Sequence, residues 1–418
     1  MASVTCLGCG CGCDDLVIGL AGGRISSVSP PCPLAQAWFG DGRVPSAVRR
    51  RGADAPLEAA LADAAELLAG AAGHLLVVLA PETTSQAQRT ALALADLLRA
   101  RVETATSGPA AAGLLAAQRR GRTSATLGEI RNRADVVLFW GVDPGARYPR
   151  YWSRYAPEPI GTHIPAGRKS RIVIAVTIGR DRGPGGADVQ LALDPDQEVP
   201  ALSVMRAVAL GNALGELTPP LTAAANIGTQ LVKARYSAIV HDAEPSAEPT
   251  RDPYRAEGLS ALAQALNGPS RAALSSLRAG GNRSGGEVVL TSQTGYPMSV
   301  TYASGAPQYR PAGRDPSYAA EPSAVLVVGA AAAVGESLRA IAARSPVVIV
   351  GPRASEAPFA ARVAVDTGIA GIHEGGTAYR MDDTPLRLRP PLQAERSAAA
   401  VLSELLAAVQ ARRPGAAR

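Results

Sequence analysis

The sequence predicts an α/β protein whose parallel sheets are covered on both faces, and three observations predict it. Short, continuous apolar runs are bounded by Gly, Pro or charged residues. Ala-rich stretches of helical length separate them. The chain, at 418 residues, also exceeds the size at which a single core keeps growing. A strand buried on both faces loses the polar–apolar alternation of a half-exposed sheet, so uninterrupted runs joined by helices point to parallel pairing. Hydrophobic residues make up 47% of the chain and aromatic ones only 4%, so Ala, Val and Leu must fill the core.

In chain order, residues 56–68 read as an Ala-rich helix, 74–80 as a buried strand and 85–100 as a second helix. The same alternation recurs at 134–140, 171–176, 324–329 and 346–351, each a short apolar run. Residues 243–257, with three prolines, and 303–323, with four, read as linkers or long loops. The residues after Arg412 read as a disordered tail.

The formal charge is +6, from 42 basic and 36 acidic side chains, and only Lys169 and Lys233 among the basic ones are lysines. No continuous basic stripe with interleaved aromatics occurs, which argues against nucleic acid as a partner. Arg49, Arg50 and Arg51 form the densest basic run and read as a solvated linker. No apolar run approaches the ~18 residues of a membrane span. The first residues lack a basic segment followed by an apolar core, so a cytoplasmic location and no membrane partner are expected.

Four of the five cysteines lie between positions 6 and 13, too crowded for a disulfide framework and suited to metal ligation in a reducing compartment. Cys6, Cys9, Cys13 and Cys32 give the spacing C-x2-C-x3-C-x18-C, with Cys11 left as a spare. Three thiolates from one tight loop and a distant fourth suit a [4Fe–4S] cluster. Four thiolates suit zinc equally, and an empty site is the third alternative.

This segment, followed by Asp14 and Asp15, resembles the opening of the B subunit of formylmethanofuran dehydrogenase, in the molybdopterin oxidoreductase superfamily. Further segments follow in the family's order. Residues 126–144 are similar to its strand-and-turn segment. Residues 148–155, from Tyr148 to Tyr155, resemble an H-P-R-H-x-S-R-Y run. Residues 292–297, from Ser292 to Pro297, resemble W-Q-T-G-Y-P. Residues 371–382 are similar to a signature ending in G-G-T-A-Y-R-M-D. The matches extend from residue 6 to about 388, and the resemblance implies the superfamily's fold: a cysteine-bearing domain at 1–53, a discontinuous α/β domain at 54–105 and 320–418, and a Rossmann-like, doubly wound α/β domain inserted at 106–319.

Redox-active relatives place Cys or selenocysteine, then His, ahead of Gly-Pro at a helix start, as metal ligand and neighbour. The matching register here is Thr106-Ser107-Gly108-Pro109. A threonine hydroxyl is hard and unionised at neutral pH, and serine cannot carry protons as imidazole does. As plain structure, a hydroxyl residue here caps the Ala-rich helix that follows, with Pro109 in its first turn. Pro33 and Leu34 stand where relatives place a basic residue after the fourth cysteine. Tyr148 and Ser292 replace the family's His and Trp. Of the histidines, His74 precedes a strand and His373 lies in the C-terminal signature, while His163 and His241 read as loop residues. Only His241 has a carboxylate, Glu244, at a ligand-like offset.

The resemblance therefore implies a degenerate Mo/W site without molybdopterin, in a chain most like the B subunits of bacterial formyltransferase/hydrolase complexes of one-carbon metabolism and methylotrophy. Such a chain is a non-redox scaffold, a pseudoenzyme. Its implied partners are an amidohydrolase-like hydrolase subunit, a formyltransferase subunit acting between tetrahydromethanopterin and a methanofuran-type carrier, and a third structural subunit. The alternatives are an active dehydrogenase subunit with Thr106 as an unusual ligand, and an iron–sulfur or zinc sensor.

Overall fold

A computed structural model describes residues 3–245, 252–311 and 321–412. By contact density the chain divides into two compact units, Met1–Thr106 with Gly280–Arg418, and Ser107–Ala279.

The first unit opens with a small antiparallel sheet of β1 (Ser3–Val4), β2 (Leu16–Ala21) and β3 (Arg24–Ser29), followed by helix α1 (Pro33–Phe39). Next come β4 (Val48–Arg50), β5 (Ala53–Asp54), α2 (Leu57–Gly70), β6 (Leu75–Leu79), α3 (Ser85–Leu97) and β7 (Arg101–Thr104). The arginine run is thus not a linker. Arg49 and Arg50 lie in β4, and Arg50, Arg51 and Arg362 all pair with the buried Asp63 carboxylate, which Arg362 first and Arg50 second hold below the ordinary carboxylate range. A strand edge with a buried counter-ion gives these cations a structural use that spacing alone does not reveal.

The second unit holds α4 (Gly108–Arg120), α5 (Leu127–Arg133), β8 (Val136–Trp140), the short helices α6 (Pro144–Arg147) and α7 (Tyr151–Arg154), β9 (Ile172–Ile178) and β10 (Val189–Leu193). It continues through α8 (Glu198–Ala209), α9 (Pro219–Lys233), β11 (Ser237–Asp242), α10 (Asp252–Leu266) and β12 (Ala272–Leu277). Its five strands are all parallel, in the order β10-β9-β8-β11-β12. That is the doubly wound order, with its reversal point between β8 and β11. The stretch 243–257, expected as a linker, is already helical from Asp252, and His241 lies in β11 rather than in a loop. Residues 246–251 lie outside the described residues.

The first unit resumes with α11 (Arg283–Thr294), β13 (Val300–Thr301), β14 (Gln308–Tyr309), β15 (Ala324–Val328), α12 (Glu336–Ala342), β16 (Val347–Gly351), β17 (Val363–Asp366), β18 (Gly376–Tyr379), β19 (Pro385–Leu388) and α13 (Ala398–Ala411). Nine strands form one sheet, ordered β14-β13-β7-β6-β15-β16-β17-β4-β5, parallel from β7 through β17. Leu75, Val77 and Leu79 pack into one core layer with α2, α3 and α13, while Leu76 and Val78 pack into the other with Val325, Val327 and Ile349. Each side chain so buried contributes roughly 1.5–3 kcal/mol, which is why the run at 74–80 is apolar throughout.

The pairing of β13 with β7 puts residues 300–301 in this sheet, so the insertion ends at Ala279 rather than near 319. Residues 1–53 likewise group with the first unit, since β4 pairs with β17 and the cysteine loop hydrogen-bonds to the C-terminal signature, Met381 N to Gly10 O at 3.1 Å. The stretch 303–323 contains β14, with 312–320 outside the described residues, as are the residues after Arg412. No helix among the described residues is long and apolar enough to cross a membrane.

Candidate functional site

The cysteine loop is closed by Cys6 N donating to Cys13 O (2.8 Å) and Gly12 N donating to Cys9 O (3.3 Å). Gly12 makes the turn with φ +51°. Cys32 arrives from β3 and occupies the N-cap of α1. Burial pushes the Cys6 thiol far up, and charge on Cys9, Cys13 and Cys32 adds to the shift. Cys11 in the same loop is fully buried. The Gly8 amide donates to Cys6 Sγ at 3.3 Å, a contact that favours a thiolate. The donor set suits a soft metal in kind. As placed, however, no three or more His, Cys, Asp or Glu side chains among the described residues form a metal-ligand group.

Thr106 lies just beyond the end of β7. Its hydroxyl donates to Glu287 Oε1 at 2.6 Å, and Thr104 Oγ1 lies 2.7 Å from it. A hydroxyl has one proton, so Thr104 is the donor to Thr106 in this relay. Glu287 is on α11 and buried. Ser107, in the second unit, caps α4: its Oγ accepts from Ala110 N (3.3 Å) and donates to Ala243 O (2.6 Å), with a proline in the first turn. Both hydroxyls in the ligand register are therefore engaged by the protein.

In the nine-stranded sheet the chain goes outward from β6 to β7 and later returns at β15, on β6's other side. The reversal point lies between them, and ligands of open α/β sheets bind outside the carboxyl ends of strands at such points. Here the backbone is strained. Glu82, Asn282 and Arg353 follow β6, precede α11 and follow β16, with φ of +73°, +64° and +53°. Left-handed backbone in non-glycine residues costs on the order of 1 kcal/mol or more each and concentrates at ligand clamps. Glu82 is held by its backbone, its N–H donating to Gly281 O (2.7 Å) and its carbonyl accepting from Ala370 N (3.1 Å). Burial raises its carboxyl, against the opposing charge of Arg353 and Arg283. The crevice itself is narrow: a Cβ on Gly329 would stand 2.4 Å from Pro81 O, and one on Gly351 2.2 Å from Gly329 O.

The C-terminal signature is built into the same unit. Glu374 accepts from Ala398 N (2.6 Å) at the start of α13, and burial lifts its carboxyl to about 7. His373 Nε2 bonds Gly42 O (2.7 Å), and Tyr379 N donates to Asn282 Oδ1 (2.8 Å).

At the reversal point of the second unit, Asp242 ends β11. Tyr148 Oη donates to its Oδ1 (2.9 Å) and Arg147 Nη1 to its Oδ2 (2.7 Å). Next to it, His241 Nδ1 lies 3.2 Å from Asp242 O and its Nε2 lies 2.8 Å from Ser276 Oγ. Donation from Nδ1–H leaves Nε2 to accept from Ser276. Burial lowers this imidazole to about 4. Glu244, at the ligand-like offset from His241, accepts from Ala279 N (2.9 Å) instead. Ser292 is exposed on α11 and its hydroxyl donates back to Val289 O (2.8 Å). Of the other histidines, His163 and His74 are both exposed.

Sequence pattern does not single out Glu82, Asp242 or Glu287. Glu82 and Asp242 each carry one usable signal, a carboxylate directly after or at the end of a β-run, and it discriminates weakly.

No family model matches the chain. It is 29% identical over 404 residues to the B subunit of tungsten-containing formylmethanofuran dehydrogenase 2 from Methanocaldococcus jannaschii, covering 93% of this chain and 92% of that protein. The Methanococcus maripaludis counterpart is 27% identical over 413 residues, covering 94% of each. Among solved structures, a chain of the formyltransferase/hydrolase complex from Methylorubrum extorquens, determined with methylofuran, superposes with a TM-score of 0.70 at 25% identity, over 88% of this chain and 99% of that one. Acetylene hydratase from Pelobacter acetylenicus superposes with a TM-score of 0.60 at 12% identity, over 97% of this chain and 69% of that one, a likeness of fold alone.

Proposed function

We propose that this chain, similar over nearly its whole length to the B subunit of formylmethanofuran dehydrogenase, is a non-redox scaffold in a formyltransferase/hydrolase complex. In that complex one partner moves a formyl group between tetrahydromethanopterin and a methanofuran-type carrier. An amidohydrolase-like partner releases the group as formate, and a third structural subunit completes the assembly. The carrying observation is the register Thr106-Ser107, where redox-active relatives supply a soft ligand and an imidazole. Here one hydroxyl is bound to Glu287 and the other caps α4. Selection on such a chain would keep its α/β core and its contact surfaces while the Mo/W-pterin site decayed.

Elemental analysis of the purified complex tests this: no stoichiometric Mo or W and no extractable pterin are expected, together with no dye-linked oxidation of formate or formylmethanofuran. Stoichiometric tungsten with pterin would overturn it in favour of an active dehydrogenase subunit, which the tungsten-containing relatives would then exemplify. The same analysis reads the cysteine loop. Iron with broad visible absorbance identifies a cluster and colourless zinc a structural site.

A further inference from the structure

A cleft of about 450 Å³ opens in the second unit, lined by Glu129, Asn132, Arg133, Thr162 and His163. It lies at the amino ends of the strands, beside the starts of β8 and β11 and opposite the carboxyl ends where doubly wound sheets take their ligands. Nothing in the function proposed above uses it.

Its walls are clamped. Arg171, buried without a carboxylate partner, donates instead to four main-chain carbonyls: Ala134 (3.0 Å), Pro157 (2.7 Å), Pro159 (2.6 Å) and Arg131 (2.6 Å). Burial and the nearby Arg131 lower its guanidinium to about 10. One side chain thus ties the loop before Ile160 to the end of α5. Gly161 lies so close to α5 that a Cβ there would stand 2.2 Å from Arg131 O. Asn132 seals the join, its Oδ1 accepting from Thr162 N (3.2 Å) and Oγ1 (3.4 Å), its carbonyl from His163 N (2.9 Å).

The groups left facing the cleft are mostly donors. With Asn132 Oδ1 occupied, its amide N–H groups remain. Glu129, the acid in the lining, is hydrogen-bonded to the Tyr236 hydroxyl. Nearby Arg168 and Arg235 are neutralised by Asp188 and Asp135. Among the described residues, Arg131, Arg133 and Lys169 have no carboxylate partner, against one unpaired acid on the loop, Glu158. Ile160, two residues before the lining residue Thr162, is 64% exposed, and Ile172, at the first position of β9, 43%. This face therefore offers a partner both exposed aliphatic area to cover and uncompensated positive charge to complement.

We propose that this cleft docks an acidic segment of a partner subunit, a carboxylate entering between Arg133 and His163 and an apolar side chain covering Ile160. The proposal rests on the scaffold reading, since it supplies one of the contact surfaces a scaffold needs.

The test is assembly of the full-length chain with its co-expressed partner subunits, followed by affinity measurement at two salt concentrations. Arg133→Glu with His163→Glu, and Ile160→Asp separately, should each weaken association with one partner at least about tenfold, with the melting temperature held. Arg133→Gln, a change at an exposed side chain, should flatten the salt dependence if the stronger variants fail to fold. Variants that assemble like the wild type, with the same salt dependence, overturn the proposal. A wild-type chain that assembles with no partner at all sinks the scaffold reading, and this surface with it.

Discussion

The carboxyl ends of the two sheets solve the same electrostatic problem differently. In the second unit, Asp242 is saturated by Arg147 and Tyr148, and His241 is held neutral by burial with Ser276 as its donor. In the first, Glu82 sits on strained backbone with its carboxyl raised, and Glu374 is buried with one backbone donor. One crevice is closed by the chain's own side chains. The other holds left-handed backbone at Glu82, fixed by backbone hydrogen bonds to Gly281 and Ala370. The difference teaches that two parallel sheets of one chain can hold carboxylates at their ends in opposite settings, one saturated by donors and one desolvated.

The contrast is broken most directly by pH. The Glu374 carboxyl rises from 4.5 to about 7 on folding, so its contribution is complete below 4.5 and is lost as pH climbs through 7. His241 moves the other way, from 6.5 to about 4, so its contribution is complete above 6.5 and is lost as pH falls through 4. Calorimetry across this range should find Glu374→Gln flattening the neutral side and His241→Asn the acid side, each by on the order of 3 kcal/mol. A profile unchanged by either variant would erase the distinction.

Smaller effects sharpen it. Asp242→Ala leaves the Arg147 guanidinium and the buried Tyr148 hydroxyl without their acceptor and should cost about 2 kcal/mol in denaturant unfolding. Glu82→Gly should do the reverse and stabilise by about 1 kcal/mol, because glycine accepts φ +73° without strain. Equal, destabilising effects at both carboxylates would show that Glu82 is an ordinary structural acid.

Much of the frame is legible in residue order. The runs at 74–80, 134–140, 171–176, 324–329 and 346–351 reappear as β6, β8, β9, β15 and β16, because strands buried on both faces must be apolar throughout. β11 and β12 escape the same pattern, since His241, Ser275 and Ser276 interrupt them, and those polar groups are tolerated only where cross-strand hydrogen bonding satisfies them. The boundary of the insertion was not legible, because it depends on β13 returning to pair with β7 after some two hundred intervening residues.

What the sequence by itself determined is chemical identity: an aliphatic α/β core, a cysteine loop, and hydroxyls at 106 and 107 ahead of Gly108-Pro109. What only the tertiary structure decided is where each polar group finds its partner. Thr106 meets Glu287, 181 positions away, Asp63 meets Arg362, 299 positions away, and Arg133 meets no carboxylate among the described residues. The physical reason is range. Apolar periodicity is a property of neighbours in the chain, whereas a hydrogen bond or ion pair is decided by which distant segments packing brings within about 3 Å.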